Sequence, residues 1–290
     1  MGFYMKNMLF PEIKPFIRYA RYVKINSETK RVHTYPCDAR LFYTVDGEGE
    51  IEVDGTVYKM TKGDILIFNS GTKYCICPSQ EGVNYLVLNY DYTSDHSCLH
   101  IPVPPKLCES FKESDIIESV SFDDADELSR PIFLKKKYDV SERLLEIERE
   151  FATKILYFET RISNILSEIL VDCLRELRLQ TVPDGYERIN TILKFIHDNY
   201  NEKLTNLSLG EKFGFHPNYI SFLIKSYTGT PLHKYIMNVR ISHAIHMLDG
   251  GQTSIGEIAE SCGFCDIFYF SRIFKQHVGL SPLEYRGKKQ

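Results

Sequence analysis

The sequence contains no apolar run long enough to cross a bilayer. No window reaches the roughly 18 uninterrupted apolar residues that a membrane span needs. The first sixteen residues contain no apolar run that ends in a small-residue cleavage site, so no signal peptide is predicted. Without a secretion signal, the eight cysteines are expected to be reduced thiols rather than a disulfide framework. These absences predict a cytoplasmic protein with no membrane partner.

Tryptophan is also absent, so the aromatic residues are 19 Tyr and 18 Phe. Hydrophobic residues make up 43% and charged residues 26% of the chain, which is typical of a folded globular protein and argues against disorder. The 290 residues exceed one average domain and suit two.

The net charge differs between the two parts of the chain. Residues 186–290 carry 12 Lys and Arg against 9 Asp and Glu, a net of +3, whereas the other residues carry a net of −7. This asymmetry indicates an anionic partner for the C-terminal part. Chance variation between two domains explains the charge alone equally well.

Short strands and tight turns are predicted for residues 16–92. Residues 16–25, 65–68 and 85–92 are strand-like, and residues 41–60 contain two Asp-Gly pairs, at 46–47 and 54–55. Around the second pair, apolar Ile51 and Val53 alternate with polar neighbours, which is a strong hairpin pattern. Many short strands at this spacing predict a small β-sandwich or β-barrel.

Helical periodicity replaces this pattern after residue 141. Apolar residues recur every three or four positions from Leu144 to Leu177, which predicts a pair of helices with a break near 153–160. Two interpretations of this apolar stripe remain open: it packs on its own domain, or it forms a subunit interface. Beyond it, the polar segment 180–185 contains Pro and Gly and is predicted to be a linker.

The C-terminal part contains an internal repeat. Residues 209–235 and 258–285 align with an offset of 49 and then 50 positions, so that the Gly-Phe pairs at 214–215 and 263–264 correspond. The sequence pattern of each copy predicts a short helix, a turn at a glycine and a second helix. Asp266 is a strong N-cap for the second helix of its copy, whereas His216 is a weaker one that is followed by a favourable Pro217.

The second helix of each copy is amphipathic, with an apolar stripe expected to face the core. The outward positions are predicted to face DNA, because two copies with the same outward polarity make a merely solvated surface less plausible. These positions are Asn218, Ser221, Phe222 and Lys225 in the first copy, and Phe268, Ser271, Arg272 and Lys275 in the second.

The sequence from Asn238 to Arg286 closely resembles the DNA-binding domain of the AraC/XylS family of bacterial transcriptional regulators. The shared pattern includes Arg240, Ala244, Gly263-Phe264, residues 269–275, and Ser281-Pro282. The resemblance implies two helix-turn-helix units, at about 207–228 and 256–278, joined by a helix at about 232–248 and bound to one side of double-stranded DNA. Phe222 departs from the family's usual polar residue, and Phe222 or Phe268 would suit a thymine methyl group.

Residues 46–76 are similar, less specifically, to the cupin-type sensor barrel that is common in this family. The resemblance implies a ligand pocket, with Asp46 and Tyr85 near positions that contact sugars in relatives. Tyr43, Tyr74 and Asn89 are further candidate pocket groups. The residues predicted to bind the ligand are Asp46, Tyr74, Tyr85 and Asn89. A small, carbohydrate-like effector is expected.

Many cupins are metal enzymes, but the residues here argue against that alternative. Residues 40–90 contain no histidine, and Tyr74 and Asn69 stand where the second cupin motif usually has His and Pro. The Cys262–Cys265 pair has no second pair to complete a zinc site, so a buried thiol is expected at Cys262. No cofactor, no metal and no enzymatic activity are predicted.

The predicted fold class is therefore α+β and multidomain. It comprises a cupin-like ligand-sensing barrel at 1–135, a helical dimerisation segment at 136–180 and an all-α DNA-binding domain at 181–290. The predicted function is that of a homodimeric, DNA-binding transcription regulator controlled by a small effector, with RNA polymerase as a further candidate partner. Two alternatives stay open: a cupin enzyme fused to a DNA-binding domain, and a regulator without an effector.

Overall fold

The structure of the chain is a computed structural model, which describes residues 5–98, 102–180, 185–251 and 253–288. The chain divides into two compact units, residues 1–177 and 178–290. The predicted linker at 180–185 lies largely outside the described residues. No helix in the described part of the chain is both long and apolar enough to cross a membrane.

The first unit is built on a curled sheet in which neighbouring strands are antiparallel. In the described residues its nine strands are β2 (Phe16–Ile25), β3 (Thr34–Tyr35), β4 (Ala39–Val53), β5 (Thr56–Thr61), β6 (Ile65–Phe68), β7 (Tyr74–Ile76), β8 (Val83–Asp91), β9 (Lys106–Leu107) and β11 (Ile132–Leu134). A separate parallel pair joins β1 (Lys6–Met8) to β10 (Val120–Phe122). The long strand β4 is central, because it pairs with β5, β6, β7 and β8.

The two Asp-Gly pairs have different roles. Asp54 and Gly55 have φ angles of 46° and 80°, and they form the tight turn that brings Val53 opposite Thr56. This is the predicted hairpin, and the positive φ at both positions is what a two-residue turn of this type needs. The pair at 46–47 makes no turn, since it lies inside β4 where the pairing with β8 shifts register.

The sheet has a buried layer on each face. On one face, residues such as Leu41, Leu86 and Leu88 belong to a cluster that also contains the helices that follow the sheet. On the other face, Phe42, Phe68 and Tyr85 belong to a second cluster that fills the concave interior of the sheet. The alternation of side chains along β4 and β8 produces this division.

Two helices follow the sheet, α1 (Ser141–Thr153) and α2 (Phe158–Gln180), and they are separated where a break was predicted. The break occurs because α1 ends at Lys154, which has left-handed backbone angles, and Tyr157 also has a positive φ of 66°. The apolar stripe of the two helices packs on the sheet of its own unit.

This packing corrects one expectation about the dimer. Ile162 and Ile169, which belong to the apolar stripe interpreted as a possible subunit interface, are 1% and 0% exposed within the first unit. They belong to the monomer's core, because their helix covers the convex face of the sheet. We therefore expect two copies to meet through other residues.

The second unit is helical throughout its described residues. Its helices are α3 (Gly185–Asp198), α4 (Asn206–Phe213), α5 (Pro217–Thr228), α6 (Leu232–Asp249), α7 (Ile255–Ser261), α8 (Ile267–Val278) and α9 (Pro282–Gly287). A single apolar cluster includes residues from α3 to α8, with Ile189, Ile220, Leu248 and Phe274 among them. The α+β class, with a curled sheet ahead of an all-helical unit, is confirmed.

Candidate nucleic-acid interface and barrel interior

The first helix-turn-helix consists of α4 and α5. Helix α4 begins at Thr205, whose side chain accepts a hydrogen bond from the Ser208 amide at 3.1 Å, and it ends at Gly214 with φ +74°. Helix α5 begins at His216, whose Nδ1 accepts from the Asn218 amide at 3.2 Å. These caps set the angle between the two helices and leave the start of α5 open to solvent.

Helix α5 buries one face and exposes the other. Ile220, Leu223 and Ile224 are fully buried in the core of the second unit. Of the predicted outward residues, Asn218, Phe222 and Lys225 are exposed and Ser221 is half-buried.

The second helix-turn-helix, α7 and α8, repeats this arrangement. Asp266 caps α8 by accepting hydrogen bonds from the amides of Phe268 and Tyr269, at 3.2 and 2.9 Å. Phe270 and Phe274 are fully buried. Phe268, Arg272 and Lys275 are exposed and Ser271 is half-buried, so each predicted position has the same exposure as its counterpart in α5.

The two recognition helices expose three cations. Among the described residues, Lys225, Arg272 and Lys275 take part in no ion pair of 4 Å or less. The Arg272 guanidinium lies 5.4 Å from the centre of the Tyr269 ring, which supports the side chain without removing its charge. Three cations therefore remain available to an anionic partner.

Arg240 connects the parts of the second unit in a way that its place in the sequence pattern did not reveal. From α6 its guanidinium donates to three backbone carbonyls: Tyr200 and Gly263 at 2.7 Å and Glu202 at 2.8 Å. Burial lowers the pKa of Arg240 from its usual value. Because Gly263 lies in the turn between α7 and α8, this side chain fixes the second helix-turn-helix to the connection between α3 and α4.

The interior of the sheet holds three of the four predicted ligand residues. The Tyr74 and Tyr85 rings lie 6.1 and 5.9 Å from the Phe42 ring, and Asn89 lies on the same face of β8 as Tyr85. Burial raises the pKa of both tyrosines. The Tyr85 hydroxyl is buried and has no hydrogen-bond partner among the described residues.

The other candidates lie elsewhere. Asp46 is exposed opposite Asn84, and Tyr43 is on the opposite face of the sheet, in the cluster that contains α1 and α2. The register shift in β4 next to Asp46 changes which residues face the interior, so that the Asp46 side chain points away from it while Gly49 and Ile51 lie on the interior face. The structure therefore does not bring Asp46 together with Tyr74, Tyr85 and Asn89.

A buried charged cluster beside Asn89 was missed in the sequence. Arg18 pairs with Asp91, and Arg40, which lies across from Asn89, approaches Asp38 at 3.0 Å. Both pairs are almost completely buried. Burial raises the pKa of Asp38 to about 6, and the ion-pair contact leaves both its oxygens without an aligned hydrogen bond. The only signal was the presence of Arg40 at an inward position in the apolar first part of β4, between Ala39 and Leu41.

The donor set does not favour a metal centre in the first unit. Tyr74 is packed between aromatic rings, and the Asn69 amide donates to the Leu128 carbonyl at 2.6 Å. In the described ranges, no group of three or more His, Cys, Asp or Glu is placed to hold a metal ion. Cys262 is buried, with its pKa raised to about 11 by burial, whereas Cys265 is exposed.

Comparisons with known families match both units. Residues 209–288 match a family described as a helix-turn-helix domain, and residues 26–88 match a cupin domain.

Related proteins are named as regulators. The uncharacterized HTH-type transcriptional regulator YijO of Escherichia coli (strain K12) is 32% identical over 42% of this chain and 44% of its own length. YisR of Bacillus subtilis (strain 168), with the same description, is 30% identical over 55% of this chain and 53% of its own. The Msm operon regulatory protein of Streptococcus mutans is 24% identical over 72% of this chain and 82% of its own length. The chain thus spans about half the length of YijO and YisR.

Solved structures resemble the chain more weakly. The C-terminal domain of AraT from Geobacillus stearothermophilus is 29% identical, covers 35% of this chain and 84% of that domain, and has a TM-score of 0.34. ToxT from Vibrio cholerae O395 is 16% identical, covers 92% of this chain and 96% of ToxT, and has a TM-score of 0.35. The chain thus combines a cupin domain at 26–88 with a helix-turn-helix domain at 209–288, and its similar relatives are named as HTH-type or operon regulators.

Proposed function

We propose that the chain is a cytoplasmic transcription regulator that reads a specific DNA sequence with α5 and α8 and responds to a small effector in its first unit. The observation that carries this proposal is the repeated exposed face of the two helices, polar and basic at matching positions while the opposite face is buried. A face of this kind on the second helix of a helix-turn-helix is suited to the major groove. RNA polymerase is a further proposed partner.

The residues of the face divide by chemistry. Asn218 and Arg272 lie in the first half of their helices, where the side chains of a docked helix meet base edges. Asn pairs with adenine and Arg with guanine through two hydrogen bonds. Lys225 and Lys275 lie nearer the helix ends, where we assign them to phosphates.

DNA binding by the full chain tests this assignment. A preferred duplex is first selected from a random pool, and its affinity is then measured over a range of salt concentrations. Asn218→Ala and Arg272→Ala should each cost about 1–3 kcal/mol of DNA-binding free energy and relax the preference for one base pair. Lys275→Ala should weaken binding to all DNA sequences alike. It should also reduce the slope of log affinity against log salt concentration by about one.

Lys203→Ala is the matched control, because Lys203 is an exposed cation of the same unit outside the two recognition helices. The assignment of α8 is wrong if Arg272→Ala keeps both the affinity and the base preference. Sequence-independent binding by the wild type would contradict the proposal as a whole.

The effector proposal rests on unpartnered polar atoms in the barrel interior. Buried polar groups normally have a partner, whether protein, water or ligand. Within the described residues, the Tyr85 hydroxyl and the Asn89 amide oxygen have none. The Tyr85 hydroxyl occupies the space that a side chain at Gly49 would need, and Gly49 also lines an open groove of about 360 Å³ on the outside of the sheet's edge, between β4, β5 and the segment 78–81. We infer that a hydroxyl-rich ligand enters there.

Binding in this interior must rearrange aromatic rings, because Phe42, Phe68 and Tyr74 pack within 5.1 to 6.1 Å of one another. The chain has no tryptophan, so its near-ultraviolet circular dichroism reports tyrosine and phenylalanine directly. A sugar that binds should raise the melting temperature and change this spectrum. A ligand at 100 times its Kd adds about 2.7 kcal/mol of stability. Tyr85→Phe should weaken binding by about 1 kcal/mol.

We also propose that the first unit has no catalytic metal centre, since Tyr74 stands where the second cupin motif usually has His and residues 40–90 contain no histidine. Elemental analysis of the purified chain distinguishes this from the cupin-enzyme alternative. Stoichiometric iron, manganese or zinc would favour an enzyme.

A homodimer through the predicted segment 136–180 remains part of the proposal, but with a different contact. In that segment, Ile155, Leu156 and Tyr157 are 61%, 78% and 76% exposed in the connection between α1 and α2. An apolar surface of this kind favours contact with another protein surface, and a two-fold dimer would use it on both copies.

Replacing Leu156 with Glu is therefore expected to shift the chain from dimer to monomer without loss of fold, because Leu156 makes little contact within its own unit. Sedimentation equilibrium at micromolar concentration measures this shift. Thr160→Glu, at a nearby exposed position of α2, is the control and should leave the dimer intact. A wild type that sediments as a monomer under these conditions contradicts the dimer.

A further inference from the structure

Each recognition helix exposes one phenylalanine. Phe222 of α5 is 52% exposed and Phe268 of α8 is 81% exposed, whereas the other phenylalanines described in the second unit are buried or half-buried. Both share a helix face with the residues assigned to DNA. A large apolar side chain held in water at two equivalent faces calls for an apolar group in the partner.

The two phenylalanines do not occupy the same position of the repeat. At the offset of 50, Asn218 corresponds to Phe268, and Phe222 corresponds to Arg272. Each helix thus presents one phenylalanine and one hydrogen-bonding side chain, four residues apart, in opposite order. Ser221 and Lys225 match Ser271 and Lys275 without exchange.

The major groove offers one apolar group, the C5 methyl of thymine. A phenylalanine ring has no donor or acceptor, so it distinguishes thymine from cytosine by this methyl rather than by hydrogen bonds. Four residues of α-helix span about 6 Å, which corresponds to about two base pairs at 3.4 Å each. One helix can therefore contact a methyl group and a hydrogen-bonded base about two base pairs apart.

We propose that Phe222 and Phe268 each read a thymine methyl, and that the operator contains two elements in which the order of thymine and hydrogen-bonded base is reversed. In the first element, an adenine read by Asn218 precedes, along the helix, the thymine read by Phe222. In the second, the thymine read by Phe268 precedes the guanine read by Arg272. This inference rests on the proposed function, because it assumes that α5 and α8 enter the major groove.

The test removes single methyl groups from the selected duplex. Each thymine is replaced in turn by deoxyuridine, which lacks only the methyl, and the affinity of the full chain is measured. One thymine in each element should lose about fourfold in affinity, the effect of one buried methyl group. In Phe222→Ala the first of these losses should disappear while the second persists, and in Phe268→Ala the reverse should hold.

Two controls make the result specific. Leu283→Ala removes an exposed apolar side chain that lies outside both recognition helices and should leave both losses unchanged. A duplex with C·G in place of T·A at a sensitive position should bind the chain more weakly. Methylation of that cytosine at C5 should raise the affinity again by about fourfold. Both phenylalanines are exposed, so the alanine variants should keep the wild-type melting temperature.

The outcomes separate the inference from the function on which it rests. Sequence-specific binding that ignores deoxyuridine, or a deoxyuridine loss that persists in both alanine variants, overturns the methyl contacts and leaves the DNA-binding function standing. In that case the phenylalanines serve another partner. Failure of the wild type to select any sequence overturns both.

Discussion

Replacing Gly263 with alanine is expected to destabilise the second unit by roughly 3 kcal/mol or more, whereas Gly214→Ala should cost about 1–2 kcal/mol. The two glycines occupy corresponding turns of the repeat and have similar φ angles, +77° and +74°. An alanine at either position has the same left-handed backbone cost. The difference arises from the surroundings.

A side chain at Gly263 has no space. Its Cβ would collide with the Asn201 carbonyl oxygen and lie 2.7 Å from the Asn201 Cα, and neither backbone atom can move as a flexible side chain would. Around Gly214 nothing lies within 4 Å of the same atom. The Gly263 carbonyl also accepts from Arg240, so a displaced turn would lose that hydrogen bond.

Urea denaturation of the full chain, followed by far-ultraviolet circular dichroism, compares the two variants with the wild type. Equal losses at both positions would show that backbone strain alone matters and that the contact with Asn201 is not rigid. A Gly263→Ala variant that binds DNA as the wild type does would contradict the close packing described for this turn.

Ile169→Glu is expected to unfold the first unit. Ile169 is fully buried between α2 and the sheet, and a carboxylate there would have neither water nor an ion-pair partner. An unpaired charge in a core typically lowers the free energy of unfolding by more than about 4 kcal/mol. Soluble yield and near-ultraviolet circular dichroism measure the loss of tertiary structure.

Asn164→Glu is the matched control, since Asn164 is exposed on the same helix and the same charge should change stability by less than about 0.5 kcal/mol. A folded but monomeric Ile169→Glu protein would instead show that this face of α2 meets a second copy. That result would restore the dimer contact that the periodicity of the sequence suggested.

The elements that local patterns govern could be predicted from the sequence. The turn at Asp54-Gly55, the strand at 16–25 and the break between α1 and α2 all depend on neighbouring residues, and all were found where expected. The outward faces of α5 and α8 were also predictable, because helical period and the internal repeat constrain the same positions.

Features that depend on distant pairing were not predictable. The partners Arg18 and Asp91 are 73 residues apart, and only the register between β2 and β8 brings them together. Asp46 was expected in the interior because a loose alignment cannot detect the register shift beside it. The apolar stripe of α1 and α2 was visible, but periodicity does not show what a stripe packs against.

The Arg240 contacts have a consequence for the spacing of the operator. Helix α6 joins the two helix-turn-helix motifs over 18 residues, about 27 Å at 1.5 Å per residue. Arg240 binds the middle of this helix to the turn between α7 and α8. One base pair inserted between the two DNA elements would rotate the second by about 35°, given 10 to 10.5 base pairs per turn. A helix fixed at this point has no hinge with which to follow that rotation. With α5 and α8 bound to DNA as proposed, related operators are expected to differ in their bases but to keep the distance between their two elements.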